Sequence, residues 1–151
     1  MERIIELINK EEKSTLERLT LLDEIYWADW DKLNSDYPEE VKKIFTFLRN
    51  SDFNEEEISL IQKLYNNPDG AYIEEFSYII SKLYREDKIK FKALHLAPEE
   101  GENLAYLFRN KKIFYDSDAE LEEILKVKGL SEDEVTTTKT FLKTYENLCN
   151  T

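Results

Sequence analysis

Side chains able to do catalytic or metal chemistry are few in this chain, and their spacing is wrong for most of that chemistry. His95 is the single histidine and Cys149 the single cysteine. A Ser-His-Asp relay would require His95 to meet a serine in space, and no nucleophile-elbow sequence offers one. A zinc cluster needs more His or Cys ligands than these two residues supply. Gly70, Gly101 and Gly129 stand singly, so no glycine-rich loop can cradle a phosphate. The stretch NNPDGAYIEEF (66–76) invites an EF-hand reading, but placing Gly70 at loop position six puts Tyr65 first and Phe76 last, where a bidentate carboxylate is required. A helix-starting turn with Asp69 as N-cap accounts for it better. No catalytic residue, metal site or cofactor is therefore expected.

Carboxylates are plentiful, at 33. They cluster at Asp23, Glu24, Asp29 and Asp31, at Glu74 and Glu75, and again near residues 100 and 122. Two facing carboxylates can serve acid–base chemistry or hold a divalent ion. In so acidic a chain, chance proximity is expected, and a solvated acidic face is the simpler account. The aromatic residues beside these acids are more telling. In EIYWADWDKL (24–33), Tyr26 and Trp30 share a helical stripe with Leu19, Leu22 and Leu33, while Trp27 lies at its rim beside Thr20, Asp23 and Asp31. Tyr78 similarly falls on a polar face with Glu74, Glu75 and Lys82. Exposed Trp and Tyr framed by carboxylates suit a cationic or Arg-bearing partner. The candidate partner-binding residues are thus Trp27, Trp30, Asp23, Asp31, Tyr78, Glu74 and Glu75. The competing reading buries Trp27 under a neighbouring helix.

The overall charge agrees with such a partner. With 21 basic and 33 acidic residues the formal charge is −12. That field repels phosphate backbones and anionic membrane surfaces, and steers a basic protein inward. Nucleic acid is excluded as a partner on this ground. No segment approaches the ~20 uninterrupted apolar residues of a membrane span. The N-terminal MERIIELINKEEK is charged throughout and lacks a signal-peptide core. A cytoplasmic location is expected, or an exported one if a signal segment has been removed.

The elements that must position these residues are legible as helices. Ser14 with Glu17, Asn54 with Glu57, Ser117 with Glu120 and Ser131 with Glu134 have capping-box spacing. Pro38 and Pro98 suit first-turn positions, and Gly129 suits a helix stop. Helices are predicted near 2–10, 15–33, 38–49, 55–66, 70–85, 87–96, 98–110, 118–128 and 132–149. Only three glycines and three prolines occur, which argues against many short strands.

Pro38, Pro68 and Pro98 fall thirty residues apart. PEEVKKIFTFLRN (38–50) aligns without gaps on PEEGENLAYLFRN (98–110). At the same step Ile61 matches Phe91 and Leu121, Leu64 matches Leu94 and Ile124, and Tyr65 matches His95 and Leu125. His95 then sits on a core-facing stripe, where a satisfied structural histidine is the default. A fixed period of this size marks a stack of helical pairs, which binds partners on an extended face.

The segment DGAYIEEFSYIISKLYREDKIKFKAL (69–94) resembles one in uncharacterised small helical bacterial proteins, some of which carry export signals. Asp69, Gly70, Ala71, Tyr72, Glu74 or Glu75, Ser77, Phe91 and Leu94 carry the resemblance. It implies a helical fold and an exported origin, and no activity.

The expected fold is all-α, a single domain forming an α-α superhelix or HEAT-like stack. Its three units would be 38–67, 68–97 and 98–129, between capping helices 2–33 and 132–149. An irregular helical bundle is the alternative. The expected function is a non-enzymatic protein-interaction domain, of inhibitor or immunity type, acting on a basic partner. Two other readings are a ligand-binding or enzymatic domain with a pocket lined by Trp27, Trp30 and nearby acids, and a structural subunit of a larger assembly.

Overall fold

The computed structural model describes residues 1–64, 72–86, 117–126 and 128–149, together with Ala105 and Arg109. It is all-α: the described residues form eight helices and no strand. The chain divides into two compact units, Met1–Tyr72 and Ile73–Thr151. That boundary falls inside the second of the thirty-residue segments. The predicted helix at 87–96, the helix at 98–110 and its match to 38–50 apart from Ala105 and Arg109, which are helical, and His95 itself lie outside the described residues.

In the first unit, α1 (Glu2–Ile8) packs on α2 (Thr15–Tyr26) and on α4 (Pro38–Asn50). α2 also packs on α5 (Glu55–Ile61), and α3 (Trp30–Asp36) on α4. The capping signals act as written. Ser14 Oγ accepts the Glu17 N–H at 3.1 Å, while the Glu17 carboxylate accepts the Ser14 N–H at 3.0 Å. Asn54 and Glu57 repeat the arrangement at the start of α5. Pro38 opens α4 at its first turn. The residue before a proline is pushed out of the helical region, which is why α3 stops at Tyr37 and α4 starts afresh. Ile4, Leu7, Leu21, Leu22, Ile25, Leu33, Ile44, Leu48, Ile58 and Ile61 form the buried centre.

The predicted helix 15–33 is two helices. Trp27 caps the C-terminus of α2, and the Asp29 carboxylate accepts the Lys32 N–H at 3.1 Å to start α3. A local Asp cap competes with helix continuation, and here it wins. The helix predicted over 55–66 ends at Ile61, with Leu64 still buried, and residues 65 and 66 lie outside the described residues.

One ion pair joins α2 to α5. Arg18 Nε donates to Glu57 Oε2 at 2.7 Å and Nη2 to Glu57 Oε1 at 3.3 Å, and Nη2 also reaches the Asp52 carbonyl. The guanidinium lies 5.1 Å from the Phe53 ring centre and 5.8 Å from that of Phe47. Glu57 is buried. Burial and the Arg18 charge lower the pKa of the nearby Lys13 ammonium, with Glu17 opposing.

In the second unit, α6 (Ile73–Glu86) buries Phe76, Ile79, Ile80, Leu83 and Tyr84. α7 (Ser117–Leu125) packs on α8 (Glu132–Cys149). The Tyr84 hydroxyl donates to the Glu120 carboxylate, tying α6 to α7. Burial first, and the carboxylate second, push the Tyr84 pKa well above its usual range. Gly129, at φ +85°, makes the turn before α8, a conformation that favours glycine. Ser131 and Glu134 then form the predicted capping box. Thr136–Thr138 are poor helix formers. Burial of Thr137 and Thr138, with Thr138 Oγ1 donating to the Glu134 carbonyl at 2.8 Å, offsets that weakness.

Two outcomes follow from these contacts. Arg18→Ala leaves the Glu57 carboxylate buried without its counter-charge, and a loss of about 3–5 kcal/mol is expected in urea unfolding followed by circular dichroism. The double change Arg18→Leu/Glu57→Leu should lose less than the single one. The second concerns acid. The Lys10 ammonium, with the Ser14 backbone, lowers the Glu17 pKa from 4.5 to about 2. Its contribution to stability is complete above 4.5 and disappears as pH falls through about 2. The stability gap between the parent chain and Glu17→Gln should therefore close across that window.

Candidate functional site

α2 carries apolar side chains on two opposite faces. Leu21, Leu22 and Ile25 point into the core, with Arg18 on the same side. Leu16, Thr20, Asp23 and Trp27 follow i, i+4, i+7, i+11, the spacing of a single helical stripe. Leu16 and Trp27 are each 73% exposed. At a rise of 1.5 Å per residue they sit about 16 Å apart along the axis.

The Trp27 ring stands edge-on to Tyr26, with centroids 4.8 Å apart and planes at 84°. That contact, and a backbone bond from the Trp27 N–H to the Asp23 carbonyl at 3.3 Å, orient the indole at the helix end. Asp23 and Asp29 are exposed, and so is Asp31 in the first turn of α3. The Met1–Tyr72 unit has 17 acidic and 9 basic side chains, so it holds most of the chain's negative charge.

Trp30 is placed differently. It is buried, with its ring 5.4 Å from Tyr72 and 6.1 Å from Phe45, and Tyr72 and Phe45 are themselves 5.0 Å apart. The Tyr72 hydroxyl donates to the Asn34 side chain. Trp30 is therefore a core residue, and the two tryptophans do not line a common pocket. Trp30 lies inward with Leu22 and Leu33, the leucines whose stripe it shares, while Trp27, at the break between α2 and α3, stays outside.

On α6, Glu74 and Tyr78 are exposed and Glu75 is half-buried. Tyr78 thus lies on an accessible face with Glu74, as its spacing predicts. Cys149 is exposed, and the inward side of α8 is taken by Phe141, Leu142 and Tyr145. Among the described residues no group of three or more His, Cys, Asp or Glu is arranged to hold a metal ion. No described helix is long and apolar enough to cross a membrane.

Leu16 is the surface residue that helical-wheel reasoning passed over. Its signal was present: it lies eleven residues before Trp27 on the outward stripe. An isolated leucine at a helix start carries no mark of exposure, so only the packing of α2 on α1 and α5 distinguishes it.

Compared with known proteins, the chain matches no family model, no curated protein and no solved structure.

The contrast between the tryptophans can be read in solution. Trp27→Phe should leave a blue-shifted emission that iodide quenches weakly. Trp30→Phe should leave a red-shifted, strongly quenched one. Equal quenching of both variants would contradict the placement of these rings.

Proposed function

We propose that this chain is a non-enzymatic protein-interaction domain that docks a basic protein through the outward face of α2. The observation that carries the reading is the exposure of Leu16 and Trp27 on one stripe of a helix whose other face is fully packed. Isolated apolar residues on a surface need no explanation. A leucine and a tryptophan three turns apart in register, with Asp23 between them, form the anchors of a helix-sized contact. Asp23, Asp29 and Asp31 supply the charge that draws a cationic partner and fixes its orientation. A Lys or Arg of that partner would lie over the Trp27 face.

The sharper form is an inhibitor or immunity-type protein that neutralises a basic target. Both the α2 stripe and the net charge suit that role, because speed of capture rises with opposite charge on the partner.

The test compares proteins retained from a lysate of the native host by the parent chain, by Trp27→Ala and by Leu16→Glu. A basic protein held by the parent, lost by both variants and weakened by salt supports the reading. Retention that neither variant disturbs, or the absence of any retained basic protein, overturns it. Both side chains are exposed, so the variants should keep the parent's circular dichroism spectrum and melting temperature.

A further inference from the structure

The first unit supplies its own cations to the rings of Phe47 and Phe53 and none to Trp27. Arg18 lies over both phenylalanines, and the Lys13 ammonium lies 5.3 Å from the Phe47 ring centre. Indole is the ring that attracts cations most strongly. Trp27 is 73% exposed, yet among the described residues no Lys or Arg lies over it. Nor does any described Lys or Arg pair with Asp23, Asp29 or Asp31, and that includes Lys32, which follows Asp31 in α3.

The placement of Asp23 runs against the needs of its own helix. The C-terminal end of a helix carries partial negative charge and favours cations. The last turn of α2 contains no basic side chain and holds Asp23 and Glu24 instead. Asp29 has a local task in capping α3, and Asp31 suits the positive end of that helix. Asp23 is exposed, and its carboxylate meets no described partner that would offset the cost. A residue that breaks a local rule without a gain to the fold points to a role outside it. A cation from another molecule, set over Trp27, would neutralise Asp23 and the helix end together.

The form of the partner follows from the stripe. Leu16 and Trp27 are eleven residues apart in register, about 16 Å along the axis. No described residue is in a strand, so an extended peptide would find no sheet edge to pair with. A second helix can keep contact over several turns when it crosses at a shallow angle of about 20°, and its own side chains repeat at the same rise. The cation best suited to the Trp27 end is a guanidinium. It stacks flat on an indole, sheds water more readily than an ammonium and offers a carboxylate two parallel donors. Asp23, one turn before Trp27 on the same stripe, is the carboxylate within reach of that fork.

We infer that the outward face of α2 receives a helical segment of the basic partner, carrying an arginine over Trp27 and an aliphatic side chain against Leu16, eleven positions apart on one stripe of that segment. The inference rests on the docking role proposed for α2 and adds the partner's form and the order of its contacts.

The test titrates the full-length chain with alanine-based helical peptides of equal net charge, followed through the Trp27 indole N–H and the backbone amide resonances. The first peptide has leucine and arginine eleven positions apart. Two counterparts have lysine or glutamine in place of that arginine, and a fourth sets leucine and arginine on opposite faces. Saturable shifts along Leu16, Thr20, Asp23 and Trp27 are expected with the first. Lysine should weaken binding about threefold, and glutamine or the opposite-face arrangement by more. Trp27→Leu keeps an apolar anchor and should abolish the preference for arginine over lysine. Asp23→Asn should weaken the arginine peptide and leave the glutamine one unchanged. No saturable shift with the arginine peptide, equal binding of arginine and lysine, a preference that survives Trp27→Leu, insensitivity to Asp23→Asn, or equal binding of the opposite-face peptide would each overturn the inference. A basic host protein retained through Leu16 and Trp27 while none of these peptides binds would remove the arginine-bearing helix and leave the docking role of α2 in place.

Discussion

A single carboxylate organises the first unit. Glu57 Oε1 accepts the Asn54 N–H at 3.0 Å and so starts α5, while both its oxygens also receive the Arg18 guanidinium from α2. α5 is seven residues long, far below the length at which an isolated helix persists in water. Its stability must come from docking, and the docking contact and the helix start use the same side chain. Moving two charges out of water is costly, and attraction repays that only when the remaining donors and acceptors are filled. Here they are. The guanidinium also reaches the Asp52 carbonyl, and its faces meet Phe47 and Phe53, which stand edge to face at 5.5 Å. Arg18 thereby links α2, the end of α4, the following loop and α5.

This constraint explains how α2 can leave its other face bare. A surface helix is ordinarily held by one apolar stripe and solvated by its polar opposite. In α2 the inward side combines Leu21, Leu22 and Ile25 with the anchored Arg18, which is enough to fix the helix. Leu16 and Trp27 are then not needed for the core. Their exposure leaves the packing of α2 on α1 and α5 undisturbed.

The helices were mostly legible because their starts are written in short-range chemistry. Ser14–Glu17, Asn54–Glu57, Ser131–Glu134, Pro38 and Gly129 each act within a few residues, so spacing alone reveals them. What sequence spacing conceals is competition and long-range pairing. Asp29 sits within a plausible continuous helix, and only the outcome of its cap against helix continuation decides that the chain breaks there into α2 and α3. Glu57 reads as a capping residue, whereas its pairing with Arg18 spans 39 positions and leaves no periodic trace. Trp27 was visible as a rim aromatic among acids. Leu16 was not, since it has an ordinary residue type at an ordinary position and is made unusual only by what surrounds it.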